Sequence, residues 1–225
     1  MNSIATRLHK LNFILRTEEQ RFKRDLHAVQ LLAVSKTKPT DDIIKAYQVG
    51  QRDFAESYLQ EALLKQQQLA HYQIIWHFIG PIQSNKTRQI AENFSWVHSV
   101  DRLKIAQRLN DQRPKGLLPL NICIQVNISN EASKSGFLLT ELAEVVEKIQ
   151  QLPNLCLRGV MAIPKFTADY EQQRVPYRLL KQAVIDLEQP SLKTFSFGMS
   201  GDIQAAIAEG STMVRVGTGI FGQRN

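Results

Sequence analysis

Apolar residues recur along this chain in two patterns that alternate from one end to the other. One pattern is a short continuous apolar run without period-two alternation, which is typical of strands buried on both faces of a parallel sheet. The other places apolar residues three or four positions apart, which predicts helices with one buried face. The chain is therefore predicted to alternate buried β-strands with amphipathic α-helices.

The alternation defines the predicted elements. Strands are predicted over about residues 31–36, 52–56, 74–80, 95–100, 121–127, 156–163, 194–199 and 213–216. Helices are predicted over about residues 3–26, 40–49, 57–70, 85–93, 101–109, 142–152, 179–187 and 202–208. Ser3 can cap the first helix, and Gly50 can end the second because glycine readily adopts the left-handed conformation found after helices.

Eight strands alternating with helices predict an α/β fold, a single (β/α)8 TIM barrel over residues 1–225, and this count argues against two domains. Only residues 217–225 follow the last strand, too few for the helix that should close the ring. We therefore expect the N-terminal helix to help close it. A doubly wound open sheet is the alternative, because the two folds share this sequence pattern.

Composition narrows the class of protein. The hydrophobic fraction is 43%, an ordinary value for a globular protein with a sizeable core. No stretch approaches the roughly 18 apolar residues of a membrane span, and the amino terminus lacks the apolar run of a signal peptide, so a cytoplasmic protein is expected. Cys123 and Cys156 lie in apolar strand-like runs and are interpreted as buried core thiols rather than disulfide partners or metal ligands.

The charge adds a constraint on the partner. The formal net charge is +7, but the basic residues are spread along the chain and interleaved with acidic ones. A nucleic acid is therefore not the expected partner. A small anionic ligand explains the charge at least as well.

Lys36 ends the first strand, where the apolar run 31–34 gives way to polar residues and Pro39 prevents further strand pairing. On a pleated strand Leu32, Val34 and Lys36 share one face, so the lysine continues an inward-pointing row at the mouth of the predicted barrel. One interpretation is a surface lysine that extends to solvent from a strand end. The other is an amine that a low-dielectric site and neighbouring cations keep neutral for Schiff-base chemistry.

The loops after the last two strands have residues suited to an anion. In barrels of this class the ligand lies at the carboxyl ends of the strands, often with a phosphate in these two loops. Here the loops are Gly198-Met199-Ser200-Gly201-Asp202 and Gly217-Thr218-Gly219. Glycines let the backbone approach an anion, and Ser200 and Thr218 offer hydroxyl donors. Each loop alone also fits an ordinary helix cap or turn, but together, across the mouth from Lys36, they predict a phosphate cup.

A phosphate cup that faces an inward lysine suits pyridoxal 5′-phosphate, whose aldehyde can form a Schiff base with the lysine. Arg215 shares strand parity with Met213 and Gly217 and can point to the ring nitrogen of this cofactor. Because a guanidinium has no proton to lend, that nitrogen would stay unprotonated, and the ring would be a weaker electron sink than one paired with a carboxylate. The alternative for Arg215 is a salt-bridged arginine packed at a strand end.

Several separate motifs, in order along the chain, resemble one family nearly from end to end. They are Ala33-Val34-Ser35-Lys36, Trp76-His77-Phe78-Ile79-Gly80, Gln83-Ser84-Asn85-Lys86, Lys134-Ser135-Gly136, Arg158-Gly159-Val160-Met161-Ala162-Ile163, Gly198-Met199-Ser200 and Gly210-Ser211-Thr212-Met213-Val214-Arg215-Val216-Gly217-Thr218. On these motifs the sequence closely resembles the pyridoxal phosphate homeostasis proteins. The resemblance implies a barrel like the N-terminal domain of alanine racemase, with the cofactor on Lys36. It also implies a carrier or regulator of pyridoxal phosphate, affecting vitamin B6 and amino-acid balance, without established catalysis.

No catalytic residue is assigned, and nine residues are candidates for binding the cofactor. They are Lys36, Ser57, His77, Met199, Ser200, Gly201, Arg215, Gly217 and Thr218. Where the family typically has Phe-Gly-Glu-Asn-Tyr, this chain has Phe54-Ala55-Glu56-Ser57-Tyr58, so a shorter hydroxyl replaces an amide near the cofactor. Gly201 stands where many relatives have a side chain. His77 faces the predicted mouth, although a lone histidine in an apolar strand is more often a hydrogen-bonded core residue.

Two functions stay open at the level of the sequence. A racemase needs proton-transfer groups on both faces of the cofactor, and in alanine racemase the second is a tyrosine from a separate domain of a partner subunit. We find no counterpart of that domain, and the sequence places neither Tyr58 nor Tyr177 across the ring. The favoured hypothesis is a monomeric protein that binds the cofactor reversibly and supplies apo-forms of pyridoxal phosphate enzymes. An amino-acid racemase is the alternative.

Overall fold

In the computed structural model, which describes residues 3–131 and 133–223, parallel strands follow one another around a closed barrel. Each strand pairs with its neighbours in chain order, and the last pairs with the first. The strands of the described residues are β1 (Gln30–Val34), β2 (Asp53–Glu56), β3 (Ile75–Phe78), β4 (Trp96–Val100), β5 (Leu120–Val126), β6 (Leu155–Ala162), β7 (Thr194–Ser196) and β8 (Met213–Val216). The predicted barrel is confirmed, and the open sheet is wrong because β8 pairs with β1.

Helices cover the outside of this barrel. Those within the described residues are α1 (Ile4–Arg21), α2 (Thr40–Gln48), α3 (Leu59–Gln68), α4 (Thr87–Asn93), α5 (Leu103–Gln112), α6 (Leu142–Gln150), α7 (Tyr170–Ile185), α8 (Ile203–Ala208) and α9 (Thr218–Phe221). Short 3-10 helices at Ser84–Lys86 and Leu139–Glu141 precede α4 and α6. Every predicted helix is present, with its ends shifted by a few residues or, in α7, extended towards the amino terminus. The short α9 was not predicted.

Side chains of one strand parity fill the barrel interior. Leu32 and Val34 of β1, Ala55 of β2 and Met213 of β8 form one buried cluster, separate from the larger core between strands and helices. Leu32 lies opposite Arg215 in the ladder between β1 and β8. Because paired residues of neighbouring strands face the same side of a sheet, Arg215 points into the barrel.

The N-terminal helix α1 helps close the ring, as predicted. It packs against α2, α8 and α9, and it buries Leu8, Leu11 and Leu15. The hydroxyl of Ser3 caps it by accepting a hydrogen bond from the backbone N–H of Thr6 at 3.1 Å. The helix ends at Arg21 rather than near residue 26, and a helix cannot continue through Lys23, whose φ is +53°.

Two further expectations need correction. Strand β7 ends at Ser196 rather than at residue 199, because Gly198 takes a φ of +88°, which no strand residue adopts. Cys123 is a buried free thiol, whereas Cys156, at the start of β6, is only half-buried. None of the helices formed by residues 3–131 and 133–223 combines the length and apolar character that a membrane crossing requires.

Candidate functional site

Lys36 lies at the carboxyl end of the barrel, in the turn that follows β1. The strand itself ends at Val34, two residues before the lysine, and the Lys36 side chain is half-buried. The next residue, Thr37, has a φ of +63°, a conformation that a β-branched residue rarely adopts. The backbone around Lys36 is therefore held in a sharp turn rather than continuing the strand.

A buried carboxylate and a buried lysine hold the residue before Lys36. Ser35 donates its hydroxyl hydrogen to Glu56 Oε1 at 2.7 Å, and Lys65 Nζ donates to the backbone carbonyl of Ser35 at 2.8 Å. Lys65 also pairs with Glu56 at 2.7 Å. Glu56 ends β2 and Lys65 belongs to α3, so this cluster ties the end of β1 to two other elements.

Lys65 also holds Thr37, the residue after Lys36, through a second carboxylate, that of Glu61. The backbone N–H of Thr37 donates to Glu61 Oε1 at 2.6 Å, and Lys65 Nζ pairs with that oxygen at 2.6 Å. Both peptide neighbours of Lys36 are thus fixed by one network. We call Ser35, Thr37, Glu56, Glu61 and Lys65 the lysine clamp.

Within the clamp, burial changes the pKa of Glu56. Desolvation raises the pKa of Glu56 above its ordinary value, and the charge and hydrogen bond of Lys65 act against that rise. The second oxygen, Oε2, is buried and has no hydrogen-bond partner among the described residues. The carboxylate of Glu56 therefore depends on Lys65 for its charge state.

The loops after β7 and β8 meet at the same end of the barrel as Lys36. A Cβ atom at Gly217 would lie 3.2 Å from the carbonyl oxygen of Val34, so the end of β8 lies directly beside the end of β1. A Cβ atom at Gly219 would lie 3.8 Å from Ser200 Oγ, so the two loops also lie against each other. The structure thus brings the two predicted phosphate loops together beside the strand that leads to Lys36.

These loops leave polar groups accessible. Ser200, Gly201, Thr218 and Gly219 are exposed, and Thr218 and Gly219 form the first turn of α9. The first N–H groups of a helix have no partner within the helix, so this turn presents donors to solvent. The backbone N–H of Met199, in contrast, donates to Asp202 Oδ1 at 2.6 Å and is occupied within the loop.

Asp202 and Tyr177 hold the loop after β7. The Tyr177 hydroxyl donates to Asp202 Oδ2 at 2.6 Å, while Oδ1 accepts the bond from Met199. Burial and the Asp202 charge raise the pKa of Tyr177, so the phenol stays protonated. Tyr177 is therefore committed to supporting this loop and is not a base facing the barrel mouth.

Arg215 projects into the barrel from β8 and is almost fully buried. Its Nη1 donates to the backbone carbonyl of Ser196 and, at 2.8 Å, to the Ser196 hydroxyl, and its Nη2 donates to the Ala162 carbonyl at 3.1 Å. These bonds use three of the five N–H groups of a guanidinium. Burial lowers the pKa of Arg215, and Tyr177 and Asp202 act against that change.

His77 lies deeper than expected. Its Nε2 is 3.0 Å from Asp53 Oδ1 and its Nδ1 is 3.0 Å from His98 Nε2, and its side chain has no solvent exposure. Both ring nitrogens are therefore committed to the barrel interior, which corrects the expectation of a cofactor contact through them. This geometry matches the alternative that the sequence left open, a hydrogen-bonded core histidine.

Ser57 follows β2 at the barrel mouth. It shares strand parity with Ala55, which lies in the interior cluster, so its side chain starts on the side of the barrel interior. A Cβ atom at Gly80 would lie only 2.0 Å from the Ser57 carbonyl oxygen, so the chain after β3 passes tightly over this residue. Ser57 is half-buried and also lines a cavity of about 350 Å³ with Tyr58 and Lys86.

Comparison with known proteins decides the family. The profile of the family described as alanine racemase, N-terminal domain, matches residues 15–225. The pyridoxal phosphate homeostasis protein of Pseudomonas aeruginosa is 55% identical over 225 residues, which cover 100% of this chain and 97% of that protein. The chain belongs to the family of pyridoxal phosphate homeostasis proteins.

Solved structures agree with this family. PipY of Synechococcus elongatus without PLP is 35% identical, with a TM-score of 0.87 over 98% of this chain and 100% of PipY. The same protein with PLP bound is 34% identical, with a TM-score of 0.84 and the same coverage. Alanine racemase from Corynebacterium glutamicum, at 15% identity and a TM-score of 0.69, shares the fold over 98% of this chain and 60% of the racemase.

Some residues at or near this candidate site were not found from the sequence. The lysine clamp depends on Lys65, which the helical pattern of α3 does not distinguish from a surface lysine. Asp53, His98 and Ser196 were also missed. The signal available in the sequence was the alternation of side chains along a strand. By this alternation His98 lies on the same face as Trp96, and Ser196 on the same face as Gly198.

Proposed function

We propose that this protein binds pyridoxal 5′-phosphate covalently through Lys36 and acts in the homeostasis of that cofactor, as a carrier or regulator. The observation that carries the proposal is the meeting of three segments at one end of the barrel. Gly217 lies against Val34, just before Lys36, and Gly219 lies against Ser200. The relative with PLP bound, PipY, supports the choice of cofactor.

The residues present fit the phosphate of this cofactor. The missing side chain at Gly217 lets the end of β8 lie close to Val34, and the hydroxyl of Ser200 lies 3.8 Å from the position of a Cβ atom at Gly219, where the two loops meet. Exposed N–H groups at the start of α9 and the hydroxyl of Thr218 add donors for an anion. We assign the phosphate to Ser200, Gly201, Gly217 and Thr218, while Met199 would contribute through its side chain.

The residues also fit the ring. Arg215 is buried in the barrel interior below the two loops, and two of its N–H groups remain for acceptors beyond Ser196 and Ala162. A guanidinium only donates, so the pyridine nitrogen beside it would act as an acceptor and stay unprotonated. Ser57, on the other side of Lys36, is assigned to the part of the ring nearest β2.

The bound cofactor supplies an aldehyde that condenses with a neutral lysine amine, with loss of water. The protein's part is to place that amine. The lysine clamp fixes both peptide neighbours of Lys36, so the side chain starts from one defined backbone position. Pre-organisation of this kind lowers the entropy lost when the covalent bond forms.

Binding without turnover is the expected behaviour. Racemisation needs a second proton-transfer group on the face opposite Lys36. Tyr177, one tyrosine that the sequence left open for this role, donates its proton to Asp202 and is buried behind the loop. The homologues are named homeostasis proteins, which supports a role in handling the cofactor rather than in amino-acid chemistry.

We further propose that the cofactor passes from this protein to apo-forms of pyridoxal phosphate enzymes. The accessible loops at the barrel mouth support release, because Ser200 and Thr218 are exposed. We place this role in the cytoplasm, where such enzymes are made, and expect it to be carried out by a monomer.

The proposal is tested by the absorbance of purified protein mixed with pyridoxal phosphate. Wild-type protein and the control Lys38→Ala, which changes a lysine two positions away, should show the same imine band. Lys36→Ala should show none. Addition of an apo-enzyme should transfer cofactor from the wild type, whereas a broad panel of L-amino acids should give no D-isomer. An imine band that persists in Lys36→Ala would contradict the assignment, and steady racemisation would establish an enzyme instead.

A further inference from the structure

A continuous chain of hydrogen bonds crosses the barrel interior from β2 to β8. Asp53 Oδ1 lies 3.0 Å from His77 Nε2, and His77 Nδ1 lies 3.0 Å from His98 Nε2. His98 Nδ1 lies 2.9 Å from Ser196 Oγ, which accepts a hydrogen bond from Arg215 Nη1 at 2.8 Å. We call these five residues the interior chain.

The two ends of the interior chain, together with the neutral state of its histidines, determine the direction of every hydrogen bond in it. Arg215 can only donate, and the ionised carboxylate of Asp53 can only accept. His77 therefore donates from Nε2 to Asp53, and because burial lowers its pKa and keeps the ring neutral, its Nδ1 accepts from His98 Nε2. His98 is kept neutral in the same way, so its Nδ1 accepts from the Ser196 hydroxyl, whose oxygen accepts from Arg215. Both histidines thus carry their hydrogen on Nε2.

The surroundings of the histidines agree with this assignment. Burial lowers the pKa of both residues, and for His98 the charge of Arg215 lowers it further. The ring of His77 stacks on Trp96, with centroids 5.6 Å apart and planes 16° apart, which restricts its rotation. A ring held in this way keeps both nitrogens aligned with their partners.

The interior chain also connects a buried cation to an anion. Arg215 is 4% exposed, and the acceptors that it contacts are backbone and hydroxyl oxygens rather than a carboxylate. Asp202 acts on it electrostatically from the loop after β7. At the other end, the side chain of Asp53 is 15% exposed, at the amino-terminal end of the barrel. Hydrogen bonds in series polarise one another. The negative charge of Asp53 therefore stabilises the positive charge of Arg215 through the chain.

We propose that Asp53, from the amino-terminal end of the barrel, positions Arg215 through His77, His98 and Ser196 so that a fixed guanidinium N–H faces the ring nitrogen of the cofactor. Asp53, His77, His98 and Ser196 are positioning residues, because they act through Arg215. The inference rests on the proposed function for the cofactor. The direction of the hydrogen bonds does not, since it follows from the protein alone.

The direction is tested first, in the protein without cofactor. Nitrogen NMR of the imidazole rings at neutral pH should show a hydrogen on Nε2 and none on Nδ1 for both His77 and His98. In Asp53→Asn, which keeps the shape of the side chain, the amide can either donate or accept. The single tautomer of His77 should then give way to a mixture, whereas Asp111→Asn, at an exposed aspartate, should leave it unchanged. A hydrogen on Nδ1 of His98 in the wild type would overturn the assigned direction.

The role at the ring is tested with two ligands, pyridoxal phosphate and an analogue with carbon in place of the ring nitrogen. Asp53→Asn and Ser196→Ala should each weaken binding of pyridoxal phosphate by about tenfold, the effect of one hydrogen bond to a charged group. Neither should change the affinity for the analogue, because the analogue offers Arg215 no acceptor. Asp111→Asn should change neither affinity. Thermal melts of the ligand-free variants show whether they are folded.

The outcomes separate the two proposals. Equal effects on both ligands, or no effect on either, would mean that the interior chain supports only the fold, and would overturn the positioning role. Absence of an imine band in the wild type would overturn the proposed function and with it the role at the ring, while the NMR result would still decide the direction of the chain.

Discussion

Gly198, at the carboxyl end of the barrel, has a backbone conformation that residues with a side chain rarely adopt. Gly198 has a φ of +88°, and a Cβ atom there would lie 2.6 Å from the Cβ of Ala206 in α8. Two costs therefore oppose any larger residue, the left-handed backbone and the contact with α8. The glycine lets β7 end and the Ser200 loop turn across the barrel mouth.

Three glycine-to-alanine variants separate these two costs. Gly50 has a φ of +98° with nothing within 4 Å of a built Cβ atom, and Gly116 has open space without a positive φ. Gly116→Ala should leave the free energy of unfolding nearly unchanged, and Gly50→Ala should lower it by roughly 1–3 kcal/mol. Gly198→Ala should lower it by about 1–3 kcal/mol more, because the methyl group overpacks against Ala206. Urea denaturation measures all three, and equal values for Gly50→Ala and Gly198→Ala would contradict the close contact.

Between elements, the lysine clamp joins β1, β2 and α3 around Lys36. Lys65 is 5% exposed and Glu56 has no exposure, so their pair is buried. Removal of one partner from a buried pair leaves an uncompensated charge, which is far more costly than removal of both. The clamp therefore predicts strong coupling between these two side chains.

Lys65→Met should lower the free energy of unfolding by about 3–5 kcal/mol, because the carboxylate of Glu56 loses its partner. The double variant Lys65→Met with Glu56→Gln should recover much of that loss. Lys45→Met, which breaks an exposed pair with Asp42, should cost about 0–1 kcal/mol. Chemical denaturation measures the three variants, and additive losses in the double variant would show that the two residues do not interact.

A second contact between elements supports the loop after β7, to which we propose that the phosphate binds: Tyr177 of α7 donates to Asp202 in that loop. Tyr177→Phe should weaken binding of pyridoxal phosphate about fivefold to tenfold, as expected for the loss of one hydrogen bond to a charged group. Binding of pyridoxal, which has no phosphate, should not change. Tyr170→Phe, in the same helix, is the control. Equal weakening for both ligands would mean that Tyr177 acts on the whole site rather than on the phosphate loop.

Across the whole molecule, the buried histidines link stability to pH. The folded-state pKa values of His77 and His98 lie below the ordinary value of 6.5, because burial disfavours the charged rings. Below pH 6.5 the unfolded chain therefore binds more protons than the folded protein. Their contribution to stability is complete above pH 6.5 and is lost as the pH falls below it, at up to about 1.4 kcal/mol per pH unit for each histidine.

Urea denaturation between pH 5 and 8 checks this dependence. The acid-side slope of stability against pH should decrease in His98→Gln relative to the wild type. It should be unchanged in His9→Gln, because His9 is exposed. The comparison of slopes cancels the contributions of the other titratable groups, which are present in every variant. An equal slope in His98→Gln and the wild type would show that His98 is not held neutral by the fold.

The sequence alone determined the order of the elements. It also placed the candidate binding residues at the carboxyl ends of the strands. Apolar periodicity and the positions of glycine and proline are local properties, so they predicted the eight strands and the glycine-rich loops after β7 and β8. They placed Lys36 at the end of the first strand, whereas β1 stops at Val34 and the lysine lies in the turn that follows. Strand parity also predicted that Arg215 points inward, because alternate side chains face opposite sides of a strand.

Only the tertiary structure decided how these parts meet. Barrel closure depends on the pairing of β8 with β1, and the interior chain joins His98 to Ser196 across 98 positions of sequence. The same is true of Lys65, whose burial against Glu56 turns an ordinary helix lysine into part of the site. A hydrogen bond or a buried ion pair forms only where both partners are brought within about 3 Å and away from water, and that proximity is a property of the folded barrel rather than of either local sequence.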